Sequence, residues 1–170
     1  MEQYRFSKEI NRLGIFENPS NSALRGILLA LFEAPNYEYL EKNSPACNSV
    51  ALLNKETLET ISVTDLKKEE LPNCVECFER KIAGDQRLSS IVAGQNASPS
   101  GFAVVGTLFM NLEEKYPKSG RILIYEVDAK GNQQLRLLLR HIENVKGSVN
   151  CMAFVGNDNK YLLVGINQDV

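Results

Sequence analysis

The chain has 170 residues, 44% of them hydrophobic and 24% charged, with a formal net charge of −2. That size and balance fit one globular domain rather than a disordered chain, and so small a charge gives no global field to draw in nucleic acid or an acidic membrane. The apolar run Ile27 to Phe32 is far short of the roughly 20 residues that a spanning helix requires, and "MEQYRFSKEI" has no basic region ahead of an apolar core, so neither membrane insertion nor secretion is expected.

In chain order, the opening reads as two short strands, "YRFSK" from Tyr4 and "NRLGIFE" from Asn11. Turn chemistry follows in "ENPSNS", Glu17 to Ser22. Leu24, Ile27, Leu28, Leu29, Leu31 and Phe32 come next and are too densely apolar for a clean period. One expectation is a short helix within residues 22–34, begun by a Ser22 cap and stopped by Pro35; the other is a poorly ordered insertion.

From Asn48 onward the pattern is regular. "SVALLN" (Ser49 to Asn54) reads as a strand, "KET" as a turn and "LETISV" (Leu58 to Val63) as the returning strand. Lys67-Lys68 is offset by Glu69-Glu70, which reads as a solvated mixed-charge surface. Further strands are expected at Val75–Ile82, Phe102–Thr107, Arg121–Val127 and Leu135–Ile142, with a long polar loop after the first of them. "VNCMAFVG", "NDNK" and "YLLVGI" make a last hairpin with an Asn- and Asp-rich turn.

Short strands with hairpin-length turns belong to an all-β sandwich, barrel or propeller. In "RILIYEV", Ile122 and Ile124 lie on one face, and Leu123, Tyr125 and Val127 on the other. A strand apolar on both faces must be covered on both sides, the condition inside a propeller blade. Grouping in fours makes Val75 to Ile142 one full blade, with an outer half blade around Ser49–Val63 before it and an inner half blade around Val149–Ile166 after it. The expected fold is therefore all-β, a partial β-propeller. A propeller closes with at least four blades, so the chain is expected to be a piece of one and poorly soluble alone.

Cys74 and Cys77 have the spacing of a zinc half-site, but there is no second pair and His141 is the only histidine. In a strand an offset of three sends the two sulfurs to opposite faces, so they cannot chelate one ion. Reduced, core-filling cysteines fit better and point to a cytosolic or nuclear home. Asn96-Ala97-Ser98 spells a glycosylation acceptor, which without export is a coincidence of a polar loop.

"SVALLNKETLETI", "FAVVGT", "EEKYPKSGRILIYEV" and "VKGSVNCM", in that order, resemble the family of large triple-propeller proteins. That family holds the large subunits of the damaged-DNA-binding complex and of cleavage and polyadenylation specificity factor, and a splicing factor 3b subunit. "YRFSKEINRLGIF" resembles the segment that precedes this region. The likeness covers most of residues 4–18 and 48–170, part of the carboxy-terminal propeller; residues 19–47 read as an insertion or flexible segment, and neither they nor residues 83–100 share it. "EEKYPKSGRI" (Glu113 to Ile122) is most similar to the damaged-DNA-binding member, which carries a proline where Leu112 stands here.

The resemblance implies a non-enzymatic scaffold, similar to the linker subunit of cullin–RING ubiquitin ligases, acting in DNA repair and protein ubiquitination, in the nucleus and also the cytoplasm. In that relative two propellers form a cleft in which helical segments of substrate receptors dock. Carried through the matched motifs, Leu108 and Met110 follow Gly106-Thr107, and Ser148 and Asn150 follow Lys146-Gly147. All four are expected on that face as partner contacts; for each the plain alternative is a packed strand end. Gly106 and Gly120 serve backbone geometry, Pro117 stiffens the turn, and Arg121 is expected to pair with Glu113 or Glu114 in an exposed ion pair.

The alternative is an RNA-processing scaffold of the cleavage and polyadenylation or splicing type, inside a complex that binds nucleic acid. Direct nucleic-acid contact by this chain is not expected, because its pI of about 5.6 leaves no clustered Lys and Arg to release counterions. No catalytic motif is present: no G-x-S-x-G, phosphate loop or H-E-x-x-H. No cofactor or metal is expected.

Overall fold

The computed structural model describes residues 9–16, 24–33, 48–79, 101–110, 113–128, 135–156 and 160–167. They form ten strands and, among the described residues, no α-helix. The strands are β1 (Glu9–Ile15), β2 (Ile27–Glu33), β3 (Ser49–Asn54), β4 (Thr60–Asp65), β5 (Glu70–Glu79), β6 (Gly101–Phe109), β7 (Ser119–Asp128), β8 (Arg136–Lys146), β9 (Ser148–Val155) and β10 (Tyr161–Asn167). They build three antiparallel sheets, ordered β1-β2-β3-β4, β5-β6-β7-β8 and β10-β9.

The sheets stack face to face. β5 touches β1 on one side and β9 on the other, while β4 touches β8. The first strands of the three sheets thus meet along a common edge and the later ones fan outward, as blades do around a propeller axis.

The two-sided apolar pattern is what makes the stack possible. Between the first and second sheets, Leu29, Leu31, Val50 and Leu52 pack with Ala103, Val105, Leu123, Tyr125 and Val127. Between the second and third, Val104, Ile122, Ile124 and Phe78 pack with Val149, Met152, Phe154, Leu162 and Val164. The Phe78 ring lies 5.3 Å from that of Phe102 and 4.5 Å from that of Phe154. β7 therefore sends Leu123, Tyr125 and Val127 into one core and Ile122 and Ile124 into the other, as its sequence predicts.

Two sequence expectations are corrected. The helix within residues 22–34 is instead strand β2, paired on both edges: Leu29 lies opposite Gly14 of β1 and Leu52 of β3. Its odd positions face the second sheet and its even positions, Leu28, Ala30 and Phe32, join Ala51 and Leu53 on the far side. A helix would bury one stripe, whereas a strand in mid-sheet buries both faces, which is why the apolar density shows no helical period. Ser49–Val63 is the outer half of its sheet as expected, but β1 and β2 supply the inner half, so that sheet is a complete four-stranded one and not a half blade. The strand expected at "YRFSK" lies outside the described residues, and β1 starts at Glu9.

The turns are local. Asn54 Oδ1 accepts hydrogen bonds from the Glu56 and Thr57 amides at 2.8 and 3.1 Å, which folds "KET" back between β3 and β4. Gly147 has φ of +103° in the tight link from β8 to β9, a conformation that a side chain would strain.

Candidate protein-interaction face

The motif residues that set this chain apart gather at one end of the sheets: the start of β5, the end of β6, the start of β7 and the start of β9. Their chemistry begins inside the fold. Glu70 is fully buried and Arg121 is 5% exposed. Arg121 Nε donates to Glu70 Oε1 at 2.7 Å and its terminal Nη2 donates to Oε2. Thr107 Oγ1 donates to Oε1 at 2.7 Å, and the Lys67 amide donates to Oε2 at 3.0 Å. The Thr107 hydroxyl also accepts from the Arg121 amide at 3.1 Å.

A buried carboxylate with a bidentate guanidinium and two further donors has its lone pairs satisfied, which makes the pair tolerable away from water. The knot ties the entry of the second sheet to β6 and β7. Asn48 Nδ2 donates to the Glu70 carbonyl at 2.6 Å and so holds the first sheet to the same point.

This corrects two readings. Arg121 does not pair with Glu113 or Glu114; Glu114 instead meets Lys118 Nζ at 3.5 Å on the surface. Glu69-Glu70 is not a uniformly solvated pair, because Glu69 is exposed with φ of +65° and that turn directs Glu70 inward. Gly120 is required by space, since a Cβ there would lie 2.7 Å from the Gly147 carbonyl oxygen and closer still to that of Thr107. Gly106 leaves room in the same way, where a Cβ would lie 2.6 Å from Cys74 Sγ and run into the Val149 side chain.

The four expected contact residues stand on this frame at different depths. Leu108 is half-buried on β6 opposite Leu71 of β5. Met110, just past the strand, is 45% exposed, with its amide fixed to the Glu69 carbonyl at 2.8 Å. Ser148 is buried at the start of β9 opposite Asn167. Asn150 is exposed, and its Oδ1 accepts from Asn73 Nδ2 at 3.2 Å. Met110 and Tyr116, 47% exposed, are the large apolar side chains bared in the described part of the β6–β7 end. The sequence reading missed Glu70, Thr107 and Asn73 as parts of this end. The Pro72-Asn73-Cys74 and Val149-Asn150-Cys151 triplets were the available signal, since they repeat an asparagine at the same place in two sheets.

Cys74 and Cys77 are packing groups on separate faces, while Cys151 is exposed. Cys74 packs with Val149, its Sγ 3.6 Å from the Val149 carbonyl, while Cys77 packs with the core of the first two sheets. Burial pushes the thiols up, to about 11 for Cys74 and about 12 for Cys77. Among the described residues no three His, Cys, Asp or Glu side chains converge as a metal site. His141 is exposed on β8, with Nε2 3.8 Å from Glu143.

Residues 48–170 match the family model described as the CPSF A subunit region. No individual curated protein matches the chain.

Proposed function

The chain belongs to the family of the CPSF A subunit region, and from that premise we propose that it is a non-enzymatic β-propeller scaffold whose Met110 end receives helical segments of partner proteins. The partners are substrate receptors and other components of a cullin-type ubiquitin ligase, and the setting is DNA repair in the nucleus and cytoplasm. The observation that carries this reading is Met110. It is an apolar side chain left bare on a backbone pinned to Glu69, over a buried ion-pair knot, with half-buried Leu108 beside it. A rigid frame that bears a few exposed apolar anchors suits an amphipathic helix, whose anchors recur on one face. Asn150 at the neighbouring edge supplies polar rim, while Ser148 is buried opposite Asn167. The second reading is an RNA-processing scaffold of the cleavage and polyadenylation or splicing type, which the family's description, the CPSF A subunit region, supports as well.

Affinity capture from cells with the full chain tests the choice. Cullin-ligase subunits are expected in the eluate, and Met110→Asp should deplete them while leaving the β-sheet circular dichroism intact. Polyadenylation or splicing subunits in their place would establish the second reading, and recovery of neither set overturns both.

A further inference from the structure

Hydrophobic burial is non-directional, so the apolar layers between the sheets hold them at a distance without choosing one register. Two asparagines supply the direction. Asn11 is the extra residue at a register shift between Ile10 and Arg12 of β1, and Asn73 is the extra residue between Pro72 and Cys74 of β5. A bulge re-aims the side chain of its extra residue. Asn11 Nδ2 donates to the Pro72 carbonyl at 3.1 Å, and Asn73 Nδ2 donates to the Val149 carbonyl at 2.9 Å. Each bond runs from the first strand of one sheet to the first strand of the next.

The second of these clasps lies within the candidate face. Asn73 stands in the step of β5 between the partners of Thr107 and Gly106. Across that step Val149 of β9 fills the space that Gly106 leaves without a Cβ. The Asn73 carboxamide has a second N–H to give, and its other acceptor is Asn150 Oδ1 at 3.2 Å. One side chain thus holds both the backbone and an exposed side chain at the start of β9. Met110 is fixed from the same strand, because its amide donates to the carbonyl of Glu69, directly before β5. The exposed groups of the face, Met110 on the second sheet and Asn150 on the third, are both referred to the entry of β5.

We propose that Asn73 is the positioning residue of this face: its carboxamide sets the third sheet on the second, so that Met110 and Asn150 meet a partner as one preformed surface. The role rests on the reading of the Met110 end as a partner face. A surface already in its bound arrangement has less freedom to lose on binding, and affinity gains by that difference. The amide group is needed for its donors. A carboxylate at the same position would turn an acceptor toward the Val149 carbonyl and Asn150 Oδ1, both acceptors themselves.

Distances and capture test it separately. Nitroxides carried on a ketone amino acid, in full-length chain diluted with unlabelled chain, report each interface by electron–electron distance. Glu143 on β8 with Leu163 on β10 reads the second sheet against the third, and Val63 on β4 with Glu143 reads the first against the second; all three positions are exposed. Asn73→Ala should broaden the Glu143–Leu163 distribution and leave Val63–Glu143 narrow, and Asn73→Asp should broaden it further. Asn11→Ala should do the reverse, with circular dichroism unchanged throughout. In affinity capture, Asn73→Ala should lower recovery of the captured ligase subunits about fivefold, the worth of one hydrogen bond. Asn11→Ala loses a like bond outside the face and should leave recovery at the wild-type level. An unchanged Glu143–Leu163 distribution in Asn73→Ala, or an equal effect of both asparagines on both distances, overturns the clasp. A broadened distribution with undiminished capture overturns the positioning role. Failure of the face reading is told apart, because the wild-type chain then captures no subunits while the distances still respond to Asn73→Ala; the positioning role falls with it.

Discussion

At the scale of single residues, the Glu70–Arg121–Thr107 knot decides what the motif string is for. Thr107 and Arg121 stand in the two segments, Gly-Thr and Gly-Arg-Ile, that mark the sequence as a family member, and both side chains point inward to one carboxylate. Their pairing could not be read locally, because Glu70 lies 51 positions before Arg121 while Glu113 and Glu114 lie in the connection directly before β7. The knot predicts an asymmetry. Arg121→Met leaves a buried, unpaired carboxylate and should cost about 3–5 kcal/mol, whereas the double substitution Glu70→Leu/Arg121→Met should recover most of that loss. Urea unfolding followed by circular dichroism measures both. A single substitution with no more effect than the double one would show that the carboxylate is not held as described.

At the scale of elements, β5 shows how one strand serves two cores. Its register puts Cys74 opposite Gly106 and Cys77 opposite Ala103, so the sulfurs face different sheets. The alternation was legible in the spacing alone, since an offset of three in a strand reverses the face. Burial keeps both thiols protonated, and the folded chain binds those protons more tightly than the unfolded one, whose thiols titrate near 9.0. The sign follows: this stabilisation is complete below pH 9 and is lost as the pH rises toward 11 and 12. Stability measured from pH 8 to 12 should fall less steeply in a Cys74→Ala/Cys77→Ala chain than in the wild type. An aromatic disulfide reagent at pH 7.5 should label exposed Cys151 well before half-buried Cys74 or Cys77. β2 is the opposite case. Its residues were legible as core but not as strand, because consecutive buried leucines suit a central strand and a buried helix alike, and only pairing with β1 and β3 separates the two.

At the scale of the whole molecule, the sheets are held at distances that glycine permits. Gly106 lets β9 approach β6, with Val149 lying where a Cβ would stand. Gly106→Ala should therefore loosen the third sheet and cost about 1–3 kcal/mol, and Val149→Ala in the same chain should return part of it, because the obstacle is a side chain. Gly120→Ala should find no such rescue, since its obstacles are the backbone carbonyls of Thr107 and Gly147. Hydrogen exchange at the β9 and β10 amides reports the loosening; protection equal to wild type in Gly106→Ala would refute the close approach.

The sequence by itself determined that this is an all-β protein whose strands are covered on both faces, because odd and even positions in stretches such as Arg121–Val127 are apolar together and a strand has only two faces to bury. It also determined which residues mark the family. The tertiary structure alone decided that Ile27–Glu33 is a central strand, that Arg121 belongs to Glu70, and that Asn11 reaches the Pro72 carbonyl while Asn73 reaches the Val149 carbonyl. Each of these rests on partners brought together from other sheets or distant turns, and local pattern holds no record of which distant strand will lie alongside.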